Sequence, residues 1–221
     1  HLSGRSTVRS MALECMRREN EQIDYVEAWE LQRSIHADVV AQKRPATAIF
    51  LQHPATYTAG KRTEPHERPT DGTPVVDVDR GGKITWHGPG QLVVYPIVTL
   101  PNKVGVVDYV RHMEQAMIDT LAEYGVEADR VEGRSGAWLP ADGAKPERKI
   151  GAIGIRVSHN TTLHGISLNL DSDLTGFGGI VPCGIADAGV GRLCDEIDQC
   201  PSMTEFADVF ERHLRSQLSY A

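Results

Sequence analysis

The sequence predicts an α/β fold: a single domain in which a mixed sheet is flanked by helices. Three observations lead there. The chain has 221 residues, 40% of them hydrophobic, which suits one domain of ordinary size. Three segments carry the 3.6-residue apolar period of helices, separated by many short runs with the alternation or continuous apolarity of strands. Those runs come several in succession, so the strict alternation of an all-parallel sheet is missing and a mixed sheet is expected. No repeat or low-complexity tract divides the chain. Residues 11–221 read as one domain, and residues 1–10 as a cloning remnant or disordered terminus.

Each element has a local reason. Asp24 followed by Glu27 is a capping-box start. Ala28, Leu31, Ile35 and Val39 then share a helical face, and Pro45 marks the exit. Residues 47–52 form a short apolar run, read as a buried strand that delivers His53 and Pro54 to its end. Residues 75–79 alternate as a strand; Arg80, Gly81 and Gly82 break it, residues 83–86 resume it, and Gly88, Pro89 and Gly90 turn the chain into a strand over 92–98. A second helix runs from Asp108 to about Tyr124, with Val110, Met113, Met117 and Leu121 on one side and Gly125 at the C′ position. Strands are expected over 126–131 and 135–139, a polar loop over 141–148, then strands over 149–157 and 162–170. Ser202 and Glu205 cap a last helix whose core face is Met203, Phe206, Phe210 and Leu214.

Bulk properties narrow the function. Lys+Arg 23 against Asp+Glu 30 gives a net charge of −7, which argues against a general binder of nucleic-acid backbone. The longest apolar run, about 92–98, is interrupted by Pro96 and falls far short of the roughly 20 residues of a membrane span. Cys15, Cys183, Cys194 and Cys200 are too few and too unevenly spaced for a disulfide framework, so reduced thiols and a cytoplasmic location are expected. There is no Walker A motif, because Lys83 is followed by Ile84, and no G-x-G-x-x-G, G-x-S-x-G, C-x-x-C or H-E-x-x-H. No cofactor or metal is expected.

Three features remain that suit chemistry. Cys183 sits between Pro182 and Gly184; the glycine clears the approach to sulfur and leaves its N–H open to a developing oxyanion. The same pattern also fits an inert cysteine buried in an apolar strand. A cysteine nucleophile needs a neighbour that holds its thiolate. His53, His87 and His164, at strand ends beside Pro or Gly, are candidates, whereas His36, His66, His112, His159 and His213 read as surface. Lys149 is another candidate. It heads the apolar run Ile150, Gly151, Ala152, Ile153, Gly154, Ile155, as a snorkelling strand-end lysine or a partly desolvated amine able to shed its proton. Spacing alone does not pair any of these with Cys183. The third feature is Arg80, Gly81, Gly82, Lys83, Ile84, Thr85, Trp86 and His87, either a glycine-rich hairpin with solvated charges or a segment that a ligand approaches closely.

Taken together, these segments resemble the lipoyl(octanoyl) transferase family from about residue 24 to residue 187. The likeness is carried by His53 to Gly60, by Arg80 to Gln91, by Lys149 to Arg156, by His164 to Asn169 and by Val181 to Ile185. The resemblance implies the scaffold of biotin and lipoate protein ligases. It also implies transfer of an octanoyl group from acyl carrier protein to a lipoyl-domain lysine, on 2-oxoacid dehydrogenase E2 subunits or the glycine cleavage H protein. The family's thioester cysteine falls on Cys183, and the lysine that activates it on Lys149. Its substrate-binding stretches fall on Arg80, Gly81, Gly82, Lys83, Ile84, Thr85, Trp86 and His87; on Ala152, Ile153 and Gly154; and on Gly165, Ile166 and Ser167. No nucleic acid or membrane partner is implied, and a monomer is expected. The rivals are an ATP-dependent lipoate- or biotin-type ligase and a non-catalytic acyl-binding protein. Because donor and acceptor are acidic, docking calls for a local basic patch, with Arg62, Arg80, Arg148, Lys149 and Arg156 as candidates.

Overall fold

The computed structural model describes residues 13–180 and 189–221. Its elements are β1 (Glu14–Gln22), α1 (Tyr25–Val40), β2 (Thr47–Gln52), β3 (Thr56–Ala59), β4 (Val75–Asp77), β5 (Thr85–His87), β6 (Gln91–Ile97), α2 (Val106–Glu123), β7 (Asp129–Val131), β8 (Arg134–Leu139), β9 (Arg148–Ser158), β10 (Thr161–Asn169), β11 (Gly189–Val190) and α3 (Met203–Gln217). The main sheet runs β1-β2-β6-β10-β9-β8-β7, with β11 added beside β9; a smaller sheet runs β4-β3-β5. Parallel pairs (β1 with β2, β11 with β9, β3 with β4) sit among antiparallel ones, so the expected mixed α/β architecture is the observed one.

The expected helices form where their caps and apolar stripes lie. The Asp24 carboxylate accepts from Glu27 N–H, and Ser202 Oγ from Glu205 N–H; Gly125 follows α2 with φ +78°. Amphipathic stripes then decide the layers. Met113, Met117 and Leu121 of α2 and Phe206, Phe210 and Leu214 of α3 bury one face of the sheet against Phe50, Leu92, Val94, Ile166 and Leu168. On the other face Ala28, Ile35 and Val39 of α1 pack on Ile49, Leu51, Val93, Tyr95 and Ile97. The small sheet lies on this second side, clustered around Ile84, Trp86 and Ile180.

One strand was not expected, and two expectations need correction. The highly charged Glu14–Gln22 segment is a strand, because it needs only one partner, pairing parallel to β2 at the sheet edge. Strand β7 covers only the end of the run expected over 126–131, since Val126 N–H is still engaged in closing the end of α2 on Leu121 O (3.1 Å). Cys194 and Cys200 are joined in a disulfide rather than separate thiols. The turn at Leu193–Asp195 brings their Cα atoms to 5.0 Å, within the range a bridge requires.

Candidate active site

The fold leaves a cleft of about 810 Å³, including the space open to solvent at its mouth, between the small sheet and the α1 side of β9 and β10. Arg80 builds one wall. Its guanidinium is buried and donates to the carbonyls of Gly81 (2.9 Å), Lys83 (3.0 Å) and Thr58 (3.0 Å) and to Thr58 Oγ1 (2.9 Å). A rigid, always-charged fork suits this role. Gly81 N–H donates to Ile155 O at 3.0 Å, tying the loop to β9. Gly60 has to be glycine: a Cβ there would lie 2.4 Å from both Arg80 Nη1 and Gly82 O.

The opposite wall is bare sheet. Gly154 of β9 pairs with Gly165 of β10, and Ala152 with Ser167, so short or absent side chains keep the cleft open. A Cβ on Gly154 would press on Arg80 and Gly81, and one on Gly165 would lie 2.1 Å from Val94 O. Beside Gly165, His164 takes the left-handed φ of +61° within a strand. Such backbone is costly for a non-glycine residue. It carries the buried ring to Asp79, whose Oδ1 accepts from Nε2–H at 2.8 Å.

Lys149 reaches the cleft through a break in β-sheet register. Between Ala137 and Trp138 the β8–β9 pairing shifts: Ala137 faces Gly151, but Trp138 faces Lys149. Ile150 and Gly151 both turn toward α2, Ile150 in the core and Gly151 with its Cα hydrogen against Met117. The bulge returns Lys149 to the cleft side, a known use of bulges beside functional sites. Its ammonium lies 5.3 Å from the Trp138 ring centroid. Gly136, at φ +110°, leaves room for the lysine stem, since a Cβ would stand 3.3 Å from Lys149 Cε. Its N–H donates to the buried carboxylate of Glu114 at 2.9 Å, itself held by Arg111 and Arg130.

Three buried histidines stand behind and around the cleft. His53 donates from Nδ1 to Ile23 O (2.6 Å) and accepts at Nε2 from Tyr95 OH (2.7 Å). His87 donates from Nδ1 to Gln91 Oε1 (2.7 Å); the Gln91 amide is fixed in that sense because its nitrogen donates to Trp86 O and Asn169 Oδ1. Burial pushes His53 down to about 4 and His87 to about 3. Burial also takes His164 to about 4, against the pull of Asp79. All three are neutral near pH 7 and in these tautomers act as fixed dipoles. An unfolded histidine titrates near ~6.5. The sign follows: below that pH the unfolded chain binds protons that the folded one refuses. This contribution is fully present above about pH 6.5 and is lost as pH falls toward 4, by up to about 1.4 kcal/mol per pH unit for each histidine. The thermal midpoint should therefore drop steadily from pH 7 to pH 5; a flat profile would contradict neutral burial.

Among the residues singled out in the sequence, Arg80, Gly82, Lys83, Ile84, Thr85 and His87 line the cleft, as do Lys149, Ala152, Ile153, Gly154, Gly165, Ile166 and Ser167. Gly81 and Trp86 do not. Gly81 serves the loop, and Trp86 packs beneath Gly88 and Gly176 against Phe177. Cys183 lies outside the described residues. Its flanks do not: Ile180 packs on the small sheet, and Val190 of β11 pairs with Lys149, with Gly191 N–H donating to Lys149 O at 2.9 Å. Of the other thiols, Cys194 and Cys200 are bridged, and burial pushes Cys15 up to about 12. The five candidates for a basic patch divide: Arg62, Arg80 and Lys149 line the cleft, whereas Arg148 and Arg156 are paired with carboxylates. Arg148 is buried and paired with Glu196 (2.8 Å) and Asp142 (3.2 Å), and Arg80 is turned inward. Arg156 is held by Asp79. Sequence reasoning missed Tyr25 and Tyr95, which complete the floor, and Gly133, Arg134 and Ser135 at the rim.

A cleft of this shape on this sheet defines a known class. Residues 24–215 match the model of the lipoyl protein ligase A/B catalytic domain, and the chain belongs to that family. Within it, the chain is 59% identical over 192 residues to an octanoyltransferase of Salinispora tropica, covering 87% of this chain and 90% of that one. It is 61% identical over 186 residues to an octanoyltransferase of a Mycobacterium species (strain KMS), covering 84% and 78%. Among solved structures, the bipartite lipoate protein ligase of Thermoplasma acidophilum superposes with a TM-score of 0.66 at 16% identity, covering 93% of this chain and 82% of that one. A biotin protein ligase from Aquifex aeolicus with biotin and ATP gives 0.55 at 12% identity, covering 93% and 69%. These two share the fold.

Proposed function

We propose that this chain is an acyltransferase of protein lipoylation. It moves an octanoyl group from the thioester of acyl carrier protein to the ε-amine of a lipoyl-domain lysine, through a thioester on Cys183. The octanoyltransferase relatives at about 60% identity support the reaction. One observation supports the pairing of residues: the segment that bears Cys183 re-enters the sheet at Val190, the residue paired with Lys149. The other cysteines are poor nucleophiles, one raised by burial and two in a disulfide.

In the first step the Cys183 thiolate attacks the donor carbonyl. A new S–C bond forms, the carrier's C–S bond breaks, and the carrier thiolate leaves with a proton supplied by Lys149 or water. In the second step the acceptor amine attacks the enzyme thioester. The C–N bond forms, the Cys183 C–S bond breaks, and Lys149 takes the proton lost by nitrogen. Thioester exchange is near thermoneutral and amide formation from a thioester is downhill, so the cycle needs no ATP or metal. Backbone N–H groups at the head of β9 and beside Gly184 are the candidates to hold the oxyanion. Residues 11–221 act as one catalytic domain, as a monomer, in the cytoplasm. Among the described residues no helix is long and apolar enough to cross a membrane. The acceptors proposed are the lipoyl domains of 2-oxoacid dehydrogenase E2 subunits and the glycine cleavage H protein.

The test is direct. Octanoyl carrier protein and a lipoyl domain, without ATP, should give the octanoyl amide with ping-pong kinetics, whereas free octanoate with ATP should give none. Acyl-adenylate from the second mixture would move the chain to the ligases.

A further inference from the structure

The cleft has a charge that the chain as a whole does not. The net charge is −7, yet the described lining contains five cations, Arg62, Arg80, Lys83, Arg134 and Lys149, and no Asp or Glu. Focusing one sign of charge in a low-dielectric cleft concentrates ligands of the other sign. Most of these cations are already engaged. The Arg80 guanidinium is spent on carbonyls, Lys83 pairs with Glu67 at 3.0 Å, and Arg134 pairs with Glu147 behind the rim.

Arg62 differs. Other described arginines meet a carboxylate, a carbonyl or an aromatic ring, as Arg33 does over Trp29, but the exposed Arg62 side chain has no such partner among the described residues. Its placement is nevertheless firm. Arg62 N–H donates to Gly82 O (3.1 Å) and Lys61 N–H to Arg80 O (3.0 Å), so the turn carrying Arg62 is strapped to the Arg80 wall. The backbone of Arg62 is thus fixed at the mouth, and among the described residues its guanidinium donors are uncommitted.

We propose that Arg62 is the binding residue for the phosphate of the pantetheine arm on the incoming thioester donor. This rests on the thioester reading above and deepens it. An arm that delivers its thioester to Lys149 at the floor leaves its phosphate at the mouth, where the uncommitted fork is. Guanidinium binds phosphate oxygens through paired N–H donors.

The experiment compares octanoyl-pantetheine with octanoyl-phosphopantetheine, which differ only in the phosphate, as donors for acylation of the intact protein followed by mass. Wild type should prefer the phosphorylated donor about tenfold in kcat/KM, through KM. Arg62→Gln should bring that ratio near one, and Lys61→Glu, next door but off the lining, should change it less than threefold. A ratio unaltered by Arg62→Gln, or equal losses with both donors, overturns the assignment. Octanoyl carrier protein and octanoyl-coenzyme A separate the sources: equal sensitivity to Arg62→Gln puts the recognised charge on the shared arm. A loss confined to the carrier puts it on the carrier's own surface and overturns the proposal. If wild type is acylated by no thioester, the thioester reading fails and this assignment falls with it; acylation by both donors with an insensitive ratio sinks this assignment alone.

Discussion

Cys183→Ser should abolish the enzyme's octanoyl adduct. Wild type incubated with octanoyl carrier protein should gain one octanoyl mass that hydroxylamine removes, and the variant should gain none. Turnover should fall on the order of 10³-fold or more, as when a covalent nucleophile is deleted. Stability should change little, because the swap is nearly isosteric. If Cys183 were instead an inert core residue, the buried hydroxyl would cost stability while leaving activity intact. Adduct on Cys15 would contradict both this reading and the burial that raises that thiol.

The second large effect is expected at Lys149, where substitution should separate the two half-reactions. Arginine keeps a cation beside the nucleophile, so acylation should slow but persist. Guanidinium does not give up its proton in proteins, and it cannot accept one from the attacking amine. The acyl-enzyme of Lys149→Arg should therefore accumulate, with transfer slowed about 10²- to 10⁴-fold, the usual weight of a positioned acid–base group. Lys149→Ala should fail at both steps. Single-turnover kinetics reads thioester and amide separately. Arginine turning over at the wild-type rate would mean that Lys149 carries no proton. Arginine as inert in acylation as alanine would mean that the bulge geometry, with Gly136 packed on the lysine stem, tolerates no bulkier head.

What was legible in the sequence follows a physical line. The helices were, because caps and stripes are local: Asp24 and Ser202 announce their own helices, and Phe206, Phe210 and Leu214 fall on one face by spacing alone. Strand β1 was not, since a parallel edge strand with solvent on one side tolerates Arg17, Arg18 and Glu21, and only the tertiary contact with β2 reveals it. The aim of Lys149 was also hidden. Simple alternation along Lys149, Gly151, Ile153 and Ile155 puts the lysine on the face packed by α2. The register shift opposite Ala137 and Trp138 reverses this, and such a shift arises from pairing with another strand. Trp86 lies inside the motif that the resemblance gives to substrate binding, and strand alternation turns it away from Thr85's side of the cleft into the small-sheet core, a placement that needs the fold. Tyr25, Tyr95 and His164 come from three elements far apart in sequence and converge only in the fold. Local charge was not legible either: a net of −7 does not reveal a cleft whose described lining carries five cations and no carboxylate.

The most direct test of the covalent route is a chase. Octanoyl-enzyme is formed with the carrier thioester, freed of donor by gel filtration, and mixed with lipoyl domain without ATP. Octanoyl should leave the peptide containing Cys183 and appear on the acceptor lysine as an amide, at a rate no slower than steady-state turnover. Acyl-enzyme that stays loaded, or unloads only to free octanoate while the full mixture still makes amide, would show that the thioester lies off the reaction path.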